Sequence, residues 1–328
     1  RRGELLVFFT VVVYFIGVLA GYIILIAQQL EATRILHVSQ KAWTCIIFLP
    51  FLGLSFLPDM TAIAKLVPLG VAGAFISCAL ISCKGLYDSG NWKSWTEAEL
   101  EGNQIHQTWP QSGASVGAVV GTLYGAFGVN ANVPAVLCEM KDPSEFPRAL
   151  RSALAAVLLL YLGIMLLGHY GYGNFVQGNI LISMSRAPAN AREAFAAFEG
   201  GQLKWCDWTG PCSSMSSFMM QVSVLVNLAI SFPLNLMTII QSFQTMDGFS
   251  DKVPVGTVQN YIMRTSLVIL VFAIALVIPD FSTVFALFAS LCGPLLQTIY
   301  PVYFGFKVQR LTSASLRLSR TKIALLIL

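Results

Sequence analysis

Charge is scarce in this sequence. Only 11% of its 328 residues are charged, against 56% hydrophobic, and the mean hydropathy is +0.70. Soluble domains run near 25% charged, so a compact soluble globule of this composition would have too few charges to cover its own surface. The net charge of +4 is small and its Lys and Arg residues sit in short connecting segments, which excludes the basic face of a nucleic-acid binder. Histidine is scarce, with three residues, and neither HExxH nor GxGD occurs; no apolar run carries an acid near its middle. These absences argue against a membrane enzyme, against a bound cofactor or metal, and against a pump built on an in-membrane carboxylate relay. No Asn-x-Ser/Thr sequon is present, so glycosylation says nothing of location; plasma membrane, vacuole and endosome all stay open.

What is there is a series of long apolar runs. A bilayer core of about 30 Å needs about 20 helical residues. Eight runs approach that length: Leu5 to Ala27, Ala42 to Leu57, Leu66 to Ser82, a stretch within Val116 to Cys138, Ser152 to Tyr172, Ser216 to Phe243, Tyr261 to Ile278 and Phe281 to Phe306; a ninth begins at Ile323 and runs to Leu328. They are continuously apolar, without the alternation of barrel strands. The fold class is therefore an all-α integral membrane protein, one multi-span bundle over residues 1–328. The chain opens Arg1-Arg2-Gly3-Glu4 without a Met and enters an apolar run too long for a cleavable leader, so it is expected to begin in mid-protein. If residue 1 is placed inside and every run crosses, thirteen Lys and Arg fall on the inner side and seven on the other, which predicts a cytoplasmic amino end.

Of the seven cysteines, Cys45, Cys78, Cys83, Cys138 and Cys292 lie in or beside apolar runs and read as packing residues. Cys206 and Cys212 share the polar segment Trp205-Cys-Asp-Trp-Thr-Gly-Pro-Cys212. They are either a local disulfide, if that loop faces an oxidising compartment, or two free thiols.

The fourth run carries the most information. It holds Gly117, Gly121, Gly125 and Gly128, followed by Asn130, Asn132 and Pro134. Pro134 lacks an N–H and its ring crowds the carbonyl one turn back, at Asn130. The pattern predicts a break between Gly125 and Asn132; the competing reading is a continuous helix packed through its small residues. Irregular backbone at membrane depth survives only where protein buries it or it lines a wet cavity, and transporters use such breaks to bind substrates and ions. In the sixth run, Pro233 can release the carbonyl of Ala229, beside Asn227 and Ser231; a cation site and a merely kinked helix both fit.

The segment from Gly125 to Leu150, with Glu139, Met140, Pro143 and Phe146 in place, resembles the sixth span and following loop of the amino acid/auxin permease family. Gly17 to Gln29 resembles that family's third span, Asn227 to Pro233 its eighth, and Ile278-Pro-Asp-Phe281, Gly293 and Tyr300-Pro301 its tenth. The resemblance implies the five-plus-five inverted-repeat fold shared with the bacterial leucine transporter, and secondary active transport of amino acids. It also implies that the first and second spans, which contribute to the site in the family, are absent, so that this chain alone is not expected to transport. It places an amino acid at mid-membrane against main-chain groups of Gly125, Ala126, Phe127 and Gly128, with Phe127 on its side chain or acting as a gate, Asn130 as a polar contact and Tyr22 approaching from the first run. Ser231, with Asn227, is the candidate remnant of an ion site, for a proton or sodium. A non-transporting sensor or scaffold with the same fold, and a channel, are the alternative readings.

Overall fold

The computed structural model describes residues 2–33, 38–57, 65–92, 106, 113–173, 180–181, 215–246 and 256–311. Cys206, Cys212 and the run starting at Ile323 lie outside the described residues. Within them the chain is helical and holds no strand. The helices are α1 (Arg2–Thr33), α2 (Gln40–Ser55), α3 (Val67–Trp92), α4 (Gly113–Ala126), α5 (Val133–Glu139), α6 (Phe146–Tyr172), α7 (Met215–Thr245), α8 (Val258–Val277), α9 (Phe281–Pro294) and α10 (Tyr300–Leu311), with a π turn Leu295–Ile299 joining the last two.

Among the described residues, six segments are long and apolar enough to cross a membrane by themselves. The expected second and fourth spans are not among them. At 1.5 Å per residue, the 16 residues of α2 reach about 24 Å, and the fourth run is cut into α4 and α5. Conversely α3 continues ten residues past Ser82, to Trp92, further than a bilayer core requires.

α1 is the central post. It packs against α2, α7, α8 and α9, and Phe15, Leu19, Ile23, Ile24 and Ala27 are almost wholly buried along it. α3 lies against α6 and α7, and α4 against α9. Glycines set the closest of these approaches. A Cβ on Gly171 of α6 would lie 2.4 Å from the carbonyl oxygen of Gly85 on α3, and a Cβ on Gly17 of α1 would lie 2.1 Å from the ring of Phe288 on α9. The outward faces of α6 and α8, with Leu159, Leu166, Ile262 and Val277, are exposed, as a lipid-facing surface must be.

Hydrogen bonds at the two ends of the bundle agree with alternate crossing. Gln28 near the end of α1 and Gln40 at the start of α2 both donate to the Pro279 carbonyl between α8 and α9, at 3.2 and 2.8 Å. At the other end, the Thr10 and Tyr300 hydroxyls meet at 2.9 Å. There too Arg264 donates from Nη1 to the carbonyls of Ser55 and Leu57, at 2.7 and 2.8 Å, and from Nε to Asn260 Oδ1 at 2.6 Å. Arg264 is therefore not a solvated topology charge of a loop. It is 3% exposed and takes up carbonyls that the end of α2 leaves without amides.

Candidate functional site

The break predicted in the fourth run is present, and it spans Phe127 to Asn132. Down to Phe127 the ladder is α-helical, its N–H bonding the Leu123 carbonyl. Gly128 then bonds only three residues back to Gly125, Val129 two back to Phe127, and Asn132 and Val133 three back to Val129 and Asn130. Regular i to i−4 bonding resumes with Val136 to Asn132. Pro134 at the start of α5 is the cause the sequence offers, since it has no N–H to return to Asn130.

The carbonyls released by the break are not bare. The Tyr14 hydroxyl of α1 donates to the Gly125 carbonyl and the Tyr161 hydroxyl of α6 to that of Ala126, each at 3.1 Å. Tyr161 also meets the Phe127 ring edge-on, centroids 5.3 Å apart. Gly128 makes the first of these bonds possible: a Cβ there would lie 1.9 Å from the Tyr14 hydroxyl oxygen. The main-chain carbonyls against which an amino acid was expected therefore do not stand free. Aromatic hydroxyls from two other helices have replaced the missing helical amides, because an unpaired carbonyl in a dry interior is costly.

The outgoing half of the break is held by asparagines. Asn130 Nδ2 donates to the Gln297 carbonyl at 3.2 Å. That carbonyl is available because its normal partner four residues on is Pro301. Asn132 Oδ1 accepts from the Thr238 hydroxyl at 2.8 Å, and Asn132 Nδ2 reaches Asn235 Oδ1 at 3.5 Å. Asn235 also lies beside the Tyr22 hydroxyl, and its Nδ2 donates to the Ser231 carbonyl at 2.9 Å.

Of the sequence-predicted residues, Gly125, Ala126, Phe127, Gly128 and Asn130 all stand at the break. Tyr22 joins them through Asn235. Ser231 enters the network by its main chain, and Asn227 sits against α3, its Cβ 3.9 Å from where a Cβ on Gly73 would be. From α7 the bonds into the break come one and two turns further along, from Asn235 and Thr238. Sequence reasoning missed these two together with Tyr14, Tyr161 and Gln297. The signal was there: a tyrosine hydroxyl or a carboxamide inside an apolar run must find a partner.

α4 is fixed against α9 by small residues: a Cβ on Gly125 would lie 2.7 Å from Phe285 and 2.8 Å from Ala289, and one on Gly121 2.8 Å from Ser290. The small-residue packing read from the sequence therefore coexists with the break. Beyond α5, Asp142 accepts from Ser144 N–H and hydroxyl at 2.9 and 2.7 Å, and these bonds hold its carboxyl below the ordinary range. Pro143 and Pro147 start the next two helical turns, so the matched Glu139–Phe146 stretch builds a tight return into α6. One Gly-x-Ser-x-Gly spacing occurs, Gly113 to Gly117. It opens α4, with no preceding strand among the described residues, which is not the strand-to-helix elbow of a hydrolase nucleophile.

These features define a multi-spanning all-α membrane protein with one interrupted helix held by side chains of three others and by a main-chain carbonyl of the π turn. The family described as transmembrane amino acid transporter protein matches residues 1–198 and 209–328, and the chain belongs to that family. Over 194 residues it is 25% identical to amino acid transporter AVT1E of Arabidopsis thaliana, a stretch covering 58% of this chain and 32% of that protein. The chain therefore spans about a third of the length of this curated relative. No solved structure matches.

Proposed function

We propose that the protein carrying this chain moves amino acids across a membrane by alternating access, binding them at the Phe127–Asn132 break. The observation that carries the reading is the pair of carbonyls at Gly125 and Ala126, which have lost their partners four residues on and accept from tyrosine hydroxyls of other helices. An ammonium group is the natural competitor for such hydroxyls. A carbonyl oxygen has two lone pairs. At Gly125 both are in use, by Tyr14 and by Gly128 N–H, so the ammonium replaces the tyrosine; at Ala126 it takes the second lone pair beside Tyr161. Exchanging one set of bonds for another between two conformations is what a carrier needs, because the bundle keeps its polar groups satisfied in both.

The coupling ion is a proton or sodium, with the polar groups of Asn227, Ser231 and Asn235 on α7 as the nearest candidates, and the start of α1 faces the cytoplasm. Membership of the amino acid transporter family and the name of the Arabidopsis relative support the substrate class. The test is uptake of a labelled amino-acid panel into liposomes holding the full-length protein, under imposed pH or sodium gradients. Saturable uptake dependent on one gradient supports the proposal. A second reading, a non-transporting sensor, is favoured by the same capped carbonyls, since a site closed by its own tyrosines binds without needing to open on both sides. Amino-acid-induced thermal stabilisation without flux selects that reading, and current that does not saturate selects a channel.

A further inference from the structure

The π turn between α9 and α10 lies directly across from the break. Its five residues, Leu295–Ile299, are enclosed by Pro294 and Pro301, and the Tyr300 N–H bonds back five residues to the Leu295 carbonyl. Such turns inside α-helices are frequent at functional sites. This one contributes two groups to the break wall. The Gln297 carbonyl holds Asn130 at 3.2 Å, and the Thr298 hydroxyl lies 3.4 Å from that of Tyr124 on α4. Gln297 has a further group, its Nε2, which is fully buried and has no acceptor among the described residues. A buried amide nitrogen without an acceptor costs free energy, and it is retained here on a segment already bonded to the break.

We infer that Gln297 is a substrate-binding residue whose Nε2 donates to an oxygen of the bound amino acid, opposite the carbonyls that receive the ammonium. The inference rests on the transport reading given above. It assigns the two ends of the ligand to two irregular segments: carbonyls of the break take the cation, and the amide of the π turn takes an acceptor oxygen, of the carboxylate or of a polar side chain.

The full-length protein is assayed for uptake of alanine, serine and glutamine in liposomes as wild type, Gln297→Met and Gln297→Glu. Gln244→Met is the control, because the Gln244 Nε2 is likewise buried without an acceptor but lies near the end of α7. Losing a hydrogen bond to a charged or polar ligand oxygen raises KM about tenfold or more. The expected result is that rise in both Gln297 variants, kcat changing less and Gln244→Met resembling wild type. A rise for all three substrates assigns the oxygen to the carboxylate; a rise for serine and glutamine alone assigns it to the side chain. KM within twofold of wild type for every substrate overturns the role of Gln297, as does a fall in kcat with KM unchanged. Should Gln297→Met not fold, Gln297→Glu decides alone. Wild-type protein showing neither saturable uptake nor stabilisation by any amino acid overturns the transport reading and this one together.

Discussion

Tyr14 and Gly128 constrain each other because they compete for one space. The hydroxyl reaches Gly125 only while residue 128 has no side chain; a Cβ there would meet the hydroxyl oxygen at 1.9 Å and the ring carbon bearing it at 3.0 Å. Gly128→Ala is expected to destabilise by about 1–3 kcal/mol through overpacking, and Tyr14→Phe by about 0.5–1.5 kcal/mol through the lost bond. Because the alanine displaces the group the phenylalanine removes, the double variant should fall short of the sum by about 0.5 kcal/mol or more; thermal unfolding in detergent measures all four. Strict additivity would show that the two residues do not share the contact. A second residue-scale test concerns Asp280, the cap of α9. Partial burial raises its carboxyl, but Thr283 and Ser282, through hydroxyls and main-chain N–H groups, hold it below the ordinary range on balance. A lowered folded value means stabilisation that is complete above about pH 4 and lost as the pH falls further through the folded value. Wild type should therefore lose melting temperature relative to Asp280→Asn only in that acid window; a constant difference from pH 7 to pH 3 would rule the carboxylate out.

Among the elements, apolar length and the punctuation of glycine and proline made most of the helices legible. The break between α4 and α5 was readable because Pro134 and Gly128 act on their own backbone. What was not readable depends on other helices. The tyrosines that hold the break come from α1 and α6, far away in sequence; a hydroxyl inside an apolar run says that a partner is needed, but not which helix supplies it. Asn235, one turn beyond Ser231, was not legible as a partner of the break, because helical periodicity fixes a face but not the level at which a neighbour crosses it. The role of Gly17 was equally hidden. It lets α9 lie on α1, and a Cβ there would come within 2.1–2.5 Å of three Phe288 carbons, including its Cβ. Since that obstruction begins at the root of the side chain, rotation alone does not relieve it. Gly17→Ala is expected to cost about 1–3 kcal/mol. Adding Phe288→Ala should recover part of that loss, although Phe288→Ala alone is destabilising through the cavity it leaves. If the second substitution only adds to the first, the helices are separated by something other than this pair.

At the scale of the whole molecule, the two ends of the bundle are fastened differently, and that difference can be measured. One end is tied by neutral amides, Gln28 and Gln40 on Pro279. The other is tied by a buried guanidinium, Arg264, which joins α8 to the last carbonyls of α2. A methionine at 264 would fill similar volume but leave two carbonyls and Asn260 without their donor, at about 1–3 kcal/mol for each group left unsatisfied. Lysine, with one point charge in place of a planar fork, should restore only part; equal melting temperatures for Arg264→Met and wild type would show that the end of α2 needs no such cap. The same geometry fixes which residues share a side. Ser39 lies with Pro279 at one end, and Lys141 beyond α5 lies at the other, both exposed. In a background freed of its native cysteines, Ser39→Cys should react with a membrane-impermeant maleimide from the non-cytoplasmic face, and Lys141→Cys only after permeabilisation. Reaction of both from one side would break the alternation of crossings on which the bundle is built, whereas an exchange of the two results would keep the bundle and reverse its orientation.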